Sequence, residues 1–295
     1  MATVTNRSPL GLGALLGRLW NRPRLWRRTT ASVGAASDIG TQRRNNEDYY
    51  LIADLARTAA TIHGNDAFGA VLAAQPVLLV ADGMGGAAGG EVASGMAATV
   101  IWSQLAQASH ARRLRSSIRI RRSLLDAVRV ANDRIRACAA KSAELVGMGT
   151  TATVAVLLDS ELYVAHVGDS RAYLVRNRRA QQLTTDHSVL QHLIDSGATG
   201  AMAAAAEQRH ALLRALGPEA DVRVDVSCTP VEHGDIVVLC SDGVWSAVAD
   251  EELAAIVSDA QDLRAACSRL LALANDRGGR DNATVLLARL ETVTE

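Results

Sequence analysis

The chain has 295 residues, 48% hydrophobic and 21% charged, enough to bury a large core without disulfide or metal staples. Its 31 basic and 31 acidic side chains cancel, which argues against a general nucleic-acid binder. No uncharged apolar run reaches the roughly 18 residues that a membrane-spanning helix requires. Neutrality hides an asymmetry, because six arginines and no acid precede Asp38, leaving 25 basic against 31 acidic groups in residues 38–295.

Residues 1–35 read as a basic tail, a disordered or partner-docking extension, with contact to an anionic lipid surface as the alternative. From residue 36 to 295 one domain is expected. Tyr49–Asp54 (YYLIAD) and Pro76–Ala81 (PVLLVA) are short β-type runs, with a Gly- and Ala-containing loop lacking periodicity between them. Residues 90–108 read as a helix with Val92, Met96, Val100 and Leu105 on one face. Residues 117–141 read as a second helix, where Leu124, Val128, Ala131, Ile135 and Cys138 form one apolar stripe. The stretch between them, HARRLRSSIRIRR, holds six arginines and reads as a solvated connector, or else as a docking patch for an acidic partner.

Strands return at Thr151–Leu158, Leu162–Val167, Ala172–Val175, Val222–Ser227, Ile236–Cys240 and Thr284–Leu290, with helices at 250–258 and 261–275. Glu161 and Asn177 suit turns. Such close spacing favours antiparallel pairing over βαβ crossovers. The expected fold is α/β (α+β), two packed antiparallel sheets flanked by helices. The four cysteines lack any C-x-x-C pair and sit in apolar stretches, as reduced, buried cytosolic thiols do. The sixth residue after each is Glu144, Gly234, Ser246 or Leu273, so none opens a C-x5-R phosphate loop.

The chemistry concentrates in acids at strand ends. Asp48 precedes YYLIAD, Asp82 ends PVLLVA and opens DGMGG, and Asp169 lies in GDSR. Asp242 ends IVVLC in SDG, and Asp281 follows GGR before the final strand. A lone Asp-Gly at a strand end is ordinarily a turn, but five such acids in one chain are hard to dismiss that way. Oxygen ligands without histidine or cysteine suit Mg²⁺ or Mn²⁺ rather than structural zinc. Glycine after Asp82 lets a carbonyl approach a cation, and Arg43 supplies a fork of donors for phosphate oxygens.

In order, RRNNED, VADGMGGAAGGEVAS, GMGTTATVAVL, HVGDSRAYLVRN, LTTDHS, LCSDGVW and GGRDNATVLL resemble the metal-dependent PP2C (PPM) family of Ser/Thr protein phosphatases, in its bacterial form, over residues 36–291. The resemblance implies that a metal-bridged hydroxide hydrolyses phosphoserine and phosphothreonine on proteins, with two or three Mn²⁺ or Mg²⁺ ions. It implies Asp82 as the bridging ligand, the Gly83 carbonyl as a ligand, and Asp242 and Asp281 as further direct ligands. Glu47 and Asp48 match positions holding metal-bound waters, Asp169 matches a third-metal ligand shared with Asp242, and Arg43 matches the phosphate clamp. Thr150 and Thr151 match structural positions, and Asn282 is expected to fix Asp281. Met84 stands where the animal branch has a histidine that protonates the leaving oxygen, which leaves a metal-bound water as donor and His187 as a further candidate. Residues 188–217 correspond to a flap whose Ala198–Ala206 tract is mobile or short-helical. Implied partners are phosphorylated proteins, namely a Ser/Thr kinase and its substrates, in the cytoplasm, with no nucleic acid. The rival readings are a silent phosphopeptide-binding module, against which the intact acids argue, and a two-metal nuclease. The single phenylalanine, Phe68, weighs against the base-stacking groove a nuclease would use.

Overall fold

The structure, a computed structural model, describes residues 28–57, 59–63, 68–85, 89–112, 114–198 and 211–293. In chain order it forms β1 (Arg28–Asp38), β2 (Asp48–Asp54), β3 (Ala59–His63), β4 (Phe68–Ala73) and β5 (Pro76–Met84), then α1 (Gly89–His110) and α2 (Ser117–Ala139). It continues with β6 (Gly149–Thr150), β7 (Ala152–Leu158), β8 (Glu161–Val167), β9 (Arg171–Arg176), β10 (Arg179–Gln182) and α3 (Val189–Asp195). It closes with β11 (Asp225–Pro230), β12 (Ile236–Cys240), α4 (Asp242–Trp245), α5 (Asp250–Asp259), α6 (Leu263–Asp276) and β13 (Ala283–Val293).

Two antiparallel sheets result. One runs β10-β9-β12-β13-β1-β4 and the other β11-β8-β7-β5-β2-β3, with β6 paired to β5. The expected sandwich is thus the observed one. The apolar runs are continuous because both faces of the central strands are buried. Along β2 and β5, Leu51, Ala53, Val77, Leu79 and Ala81 face the α1/α2 layer, while Tyr50, Ile52, Leu78 and Val80 face the opposite sheet. Along β12, Ile236, Val238 and Cys240 pack beneath α5 and α6, while Val237 and Leu239 enter the inter-sheet core. Three stacked cores follow from one period-2 alternation.

The α2 stripe is as expected, with Leu124, Val128, Ala131 and Ile135 fully buried and Cys138 half-buried against the same core. The buried face of α1 differs from the expected one. It is lined by Ala93, Ala97, Ala98, Ile101 and Leu105, while Val92, Met96 and Val100 flank it half-buried. Small residues let α1 approach the sheet closely, so the bulkier ones lie at its margins. The arginine-rich stretch is only half connector, because α2 starts at Ser117 inside it.

Three more expectations need correction. The domain begins eight residues inside the segment read as tail, because β1 pairs with β13 from Arg28↔Val293 to Asp38↔Ala283. The buried side chains of β1, Ala31, Val33, Ala35 and Ala36, are too small to write a hydrophobic run in the sequence. The residues before Arg28, and most of the alanine tract (199–210), lie outside those described. The aperiodic loop between β2 and β5 contains β3 and β4. The turn before β8 is Asp159-Ser160, both at positive φ (51° and 60°), as are Asn177-Arg178 (51° and 60°) between β9 and β10; Glu161 is already in the strand. Two consecutive left-handed residues match the twist of a tight hairpin.

Gly34 of β1 sets the approach of α6, since a Cβ there would lie 3.0 Å from the Leu263 carbonyl carbon and from its Cβ. Gly34→Val is expected to destabilise the protein by about 1–3 kcal/mol through overpacking, read as a lower urea midpoint with an unchanged slope. An unaltered midpoint would show that β1 does not pack against α6 in solution.

Candidate active site

The two sheets bring the five strand-end acids to one edge of the sandwich. Asp48 opens β2 directly opposite Asp82 on β5. Cys240, at the end of β12, pairs with Arg171 at the start of β9 and with Val285 near the start of β13, so Asp169, Asp242 and Asp281 emerge on the same side. Two of the sheet-to-sheet crossovers, β1 to β2 and β8 to β9, pass over this edge. The first carries Arg43 and Glu47, and the second carries Asp169.

Local hydrogen bonds fix each acid. The Asp82 backbone is clamped twice: its N–H donates to Thr151 Oγ1 (2.9 Å) and its carbonyl accepts from Thr150 Oγ1 (2.9 Å). Thr151 Oγ1 also bonds Ser170 Oγ at 2.7 Å, coupling Asp82 to the Asp169 turn. Gly83 donates to the Glu47 carbonyl (3.1 Å). Only glycine fits there, because a Cβ would lie 2.3 Å from the Gly90 carbonyl oxygen and 2.6 Å from that of Glu47. Asp48 Oδ2 accepts from Ser241 Oγ at 2.6 Å, and Ser241 Oγ accepts from Thr284 N–H at 2.9 Å. Trp245 Nε1 donates to the Asp169 carbonyl (2.9 Å), with Arg171 stacked 3.7 Å above the indole. Ser241, Trp245 and Arg171 carried no sequence signal as site residues beyond adjacency to SDG and GDS.

Arg43 reaches the cluster as expected, its Nη2 donating to Asp281 Oδ2 at 2.6 Å, while half of its side chain stays exposed. Arg44 points elsewhere and lines a polar hollow with Asp38, Asn45 and Glu91. Asn282 fixes Asp281 as expected, though through its backbone and not its side chain. Its backbone N–H caps Asp281 Oδ1 (2.9 Å), but its side chain accepts from Glu47 N–H (2.8 Å) and donates to the carbonyls of Ile39 and Asn45 (both 2.9 Å). A buried amide can satisfy three backbone groups at once, so Asn282 organises the Arg43–Glu47 crossover.

His187 is buried with both nitrogens committed. Nδ1 accepts from Gly168 N–H (3.1 Å), and Nε2 lies 3.0 Å from Asp225 Oδ2. The ring is a clamp on the Asp169 turn, and no nitrogen remains free to protonate a leaving group. Residues 187–189 pair with 211–213, closing the neck of the segment that corresponds to the flap. Of the thiols, Cys240 and Cys267 are buried and Cys138 and Cys228 half-buried. Burial pushes Cys240 up to about 12, so the cysteine nearest the site is no thiolate.

The electrostatics are those of anions pressed together. Burial and then the Asp48, Asp242, Asp169 and Asp281 charges push Asp82 well above the ordinary carboxylate range. Burial raises Asp48 to about 7, offset in part by Ser241 and reinforced by Asp242 and Asp281. Asp169 rises to about 7 through burial and the Asp242 charge. Asp242 rises to about 6 through burial and Asp281, with a hydrogen bond to Asp82 pulling it back. Glu47 is raised mainly by burial. Two carboxylate oxygens, Asp48 Oδ1 and Asp242 Oδ1, are buried without any hydrogen-bond partner. Among the described residues no three acids, imidazoles or thiols close on one point as a finished metal cage; they form a cluster of hard oxygens. Orphaned buried anions of that kind fit a divalent cation.

The motif for protein phosphatase 2C matches residues 56–288. The chain belongs to the protein phosphatase 2C family. The serine/threonine phosphatase stp of Listeria monocytogenes is 36% identical over 217 residues, covering 72% of this phosphatase 2C chain and 84% of its own. The solved serine/threonine phosphatase of S. agalactiae is 30% identical with a TM-score of 0.77, covering 88% of this chain and all of the other. The catalytic domain of PstP, solved with two manganese ions, is 31% identical with a TM-score of 0.70, covering 89% and 99%. Divalent-metal dependence, expected from the sequence, is a property of this family. Among the described residues no helix is long and apolar enough to cross a membrane.

The raised acids have a consequence for stability. Between about pH 4 and 7 the folded protein retains protons that the unfolded chain has released, so stability without cations falls as pH rises through that window. In chelator the melting temperature should therefore drop from about pH 5 to about pH 7.5, and Mn²⁺ or Mg²⁺ should raise it more at the higher pH. A chelated protein that gains stability across this range would contradict the clustering.

Proposed function

We propose that this chain hydrolyses phosphoserine and phosphothreonine on proteins, in opposition to a Ser/Thr kinase, with two Mn²⁺ or Mg²⁺ ions held around Asp82, Asp242 and Asp281 and a third, weaker one at Asp169. The observation that carries the proposal is the convergence of five carboxylates with Arg43 at one edge of the sandwich. The relatives named as serine/threonine phosphatases support it. The chemistry such cations supply is neutralisation of phosphate charge and activation of a water.

The protein's own groups do the rest. Asp82, Asp242 and Asp281, with the Gly83 carbonyl, would hold the cations directly, and Glu47 and Asp48 would hold them through water. The Ser241 bond leaves Asp48 one unpartnered oxygen directed by the packing rather than by rotamer freedom. Asp281 holds the Arg43 guanidinium at the rim of the cluster. From there its exposed face offers a bidentate fork to nonbridging phosphate oxygens. The buried Cys240 thiol lies in the core under α5 and α6 and offers the phosphate no thiolate. Water is the attacking group in this reading, without a phosphoenzyme. The half-exposed site at the end of a sandwich suits a phosphorylated side chain presented by a loop of another protein.

Asp82→Asn should lower kcat on p-nitrophenyl phosphate with Mn²⁺ by about 10³-fold or more, and Arg43→Ala should raise KM by about tenfold with a smaller effect on kcat. Phosphothreonine and phosphoserine peptides should be processed in preference to phosphotyrosine peptides. Equal rates for wild type and Asp82→Asn would remove the catalytic reading and leave a silent binding module.

A further inference from the structure

The arginines of the stretch after α1 do not scatter. Residues 112–136 hold nine arginines and two aspartates, while the remainder of 38–295 holds 16 basic and 29 acidic groups. One helix is therefore strongly basic on an otherwise acidic domain. Within α2, Arg122, Arg129 and Arg136 recur every seventh residue. Seven residues are two helical turns within about 20°, so the three guanidinium stems share one stripe, spaced about 10.5 Å apart along the axis. That stripe lies opposite the buried Leu124, Ala127, Ala131 and Ile135 and faces away from the sheet. Arg115 and the 81%-exposed Ile118 extend it beyond the first turn.

Intramolecular pairing does not use up this charge. Among the described residues, Arg122 is the only arginine of the stripe with an ion pair, to Asp126 at 2.9 Å. Both partners are largely exposed, and such a pair adds only about 0.2–0.5 kcal/mol. The first turn of α2 contains no acid, and Ser116 makes no side-chain cap bond, so Arg119 opposes the helix dipole. Neighbouring α1 contributes one acid, Glu91, at its far end. The stripe runs toward the site side of the molecule, because α2 is tied near its C-terminal half to the segment beyond the flap neck. Asn132 Oδ1 accepts from Gly217 N–H at 2.8 Å, and its Nδ2 donates to the Glu219 carbonyl at 2.9 Å. Leu216 in turn bonds Thr150, the residue that clamps Asp82.

We propose that the outward face of α2 is a docking track for an acidic segment of the phosphoprotein substrate, lying alongside α2 while the phosphorylated residue occupies the site. The proposal rests on the phosphatase reading only for the statement that the docked polypeptide is a substrate. A polypeptide in the polyproline II conformation has three residues per turn and rises about 3.1 Å per residue, so every third side chain falls on one face about 9 Å apart, close to the spacing of the row, and carboxylates there meet planar forks that bind them bidentately. Asp126 and Asp133 beside the row break its charge at two-turn intervals. A continuous polyanion such as duplex DNA, or a flat anionic lipid surface, would press against these aspartates and against the acidic remainder of the domain, whereas a polypeptide can place a neutral or basic residue there.

The test compares wild type with a triple Arg122→Glu, Arg129→Glu, Arg136→Glu variant and with the corresponding triple glutamine variant, at two exposed positions and one half-buried one, in a helix that keeps its apolar stripe. A fluorescein-labelled, unphosphorylated peptide with glutamate at every third position should bind wild type at about 0.05 M salt. Binding should weaken about tenfold or more in the glutamate variant and less in the glutamine variant. The same peptide carrying phosphothreonine should show a lower KM than a neutral-flanked peptide, an advantage lost in both variants, while kcat on p-nitrophenyl phosphate stays unchanged. Equal binding of acidic and neutral peptides, a KM advantage that survives charge reversal, or tighter binding of phosphatidylserine vesicles or duplex DNA than of the acidic peptide would each overturn the proposal. The unphosphorylated peptide reports docking independently of catalysis, so loss of phosphatase activity alone cannot mimic either outcome.

Discussion

Like-charge crowding at one edge of the sandwich is the constraint on which the rest depends. Antiparallel register puts Asp48 opposite Asp82, and the two crossovers add Glu47 and Asp169. Each acid raises its neighbours' proton affinity, so the fold alone concentrates negative charge that only cations or protons can relieve. The surrounding groups hold this arrangement in place. Thr150 and Thr151 grip the Asp82 backbone, Ser241 grips Asp48, and His187 and Trp245 grip the turn on either side of Asp169. None of these grips neutralises a charge. They preserve position while leaving the electrostatic demand unmet.

The acids were legible in the sequence because each stands beside a glycine or a polar turn at the end of an apolar run, and ordered motifs fix their identity. The strands carrying them were legible for the same reason, since burial on two faces writes uninterrupted hydrophobic residues. What the sequence hid was written in small or polar letters. β1 packs through alanines, a valine and a close-approaching Gly34, and α1 buries alanines rather than its bulkier residues. The role of the Asn282 side chain could not be read either. Adjacency suggested that it served Asp281, but an amide side chain can reach carbonyls that are remote in sequence, and here it fastens the crossover before β2. Ser241 was equally silent, because a serine before Asp-Gly reads as a cap, whereas here it supports an acid 193 residues away.

Charge has a second, larger scale in this molecule. An acidic domain handling an anionic substrate meets long-range repulsion, and a cluster of carboxylates at the entrance worsens it. Basic groups are placed where they oppose that field: Arg43 at the rim, Arg171 stacked behind Asp169, and the exposed arginines of α2. Arg171 is fully engaged by Asp186 through three contacts of 2.7–3.1 Å, so it braces the turn rather than offering itself to solvent.

The pairing of β1 with β13 joins the earliest described strand to the latest across about 250 positions of chain. Contacts so distant in sequence close slowly, and during synthesis they cannot close at all until β13 has left the ribosome tunnel. Asp281 arrives on the same segment. A nascent chain can therefore form the helix-covered sheet containing β2, β5, β7 and β8 while the other sheet still lacks its middle. A chain cut off before Asp281 and β13 would therefore lack both a carboxylate of the proposed site and the strand that holds β1 in its sheet.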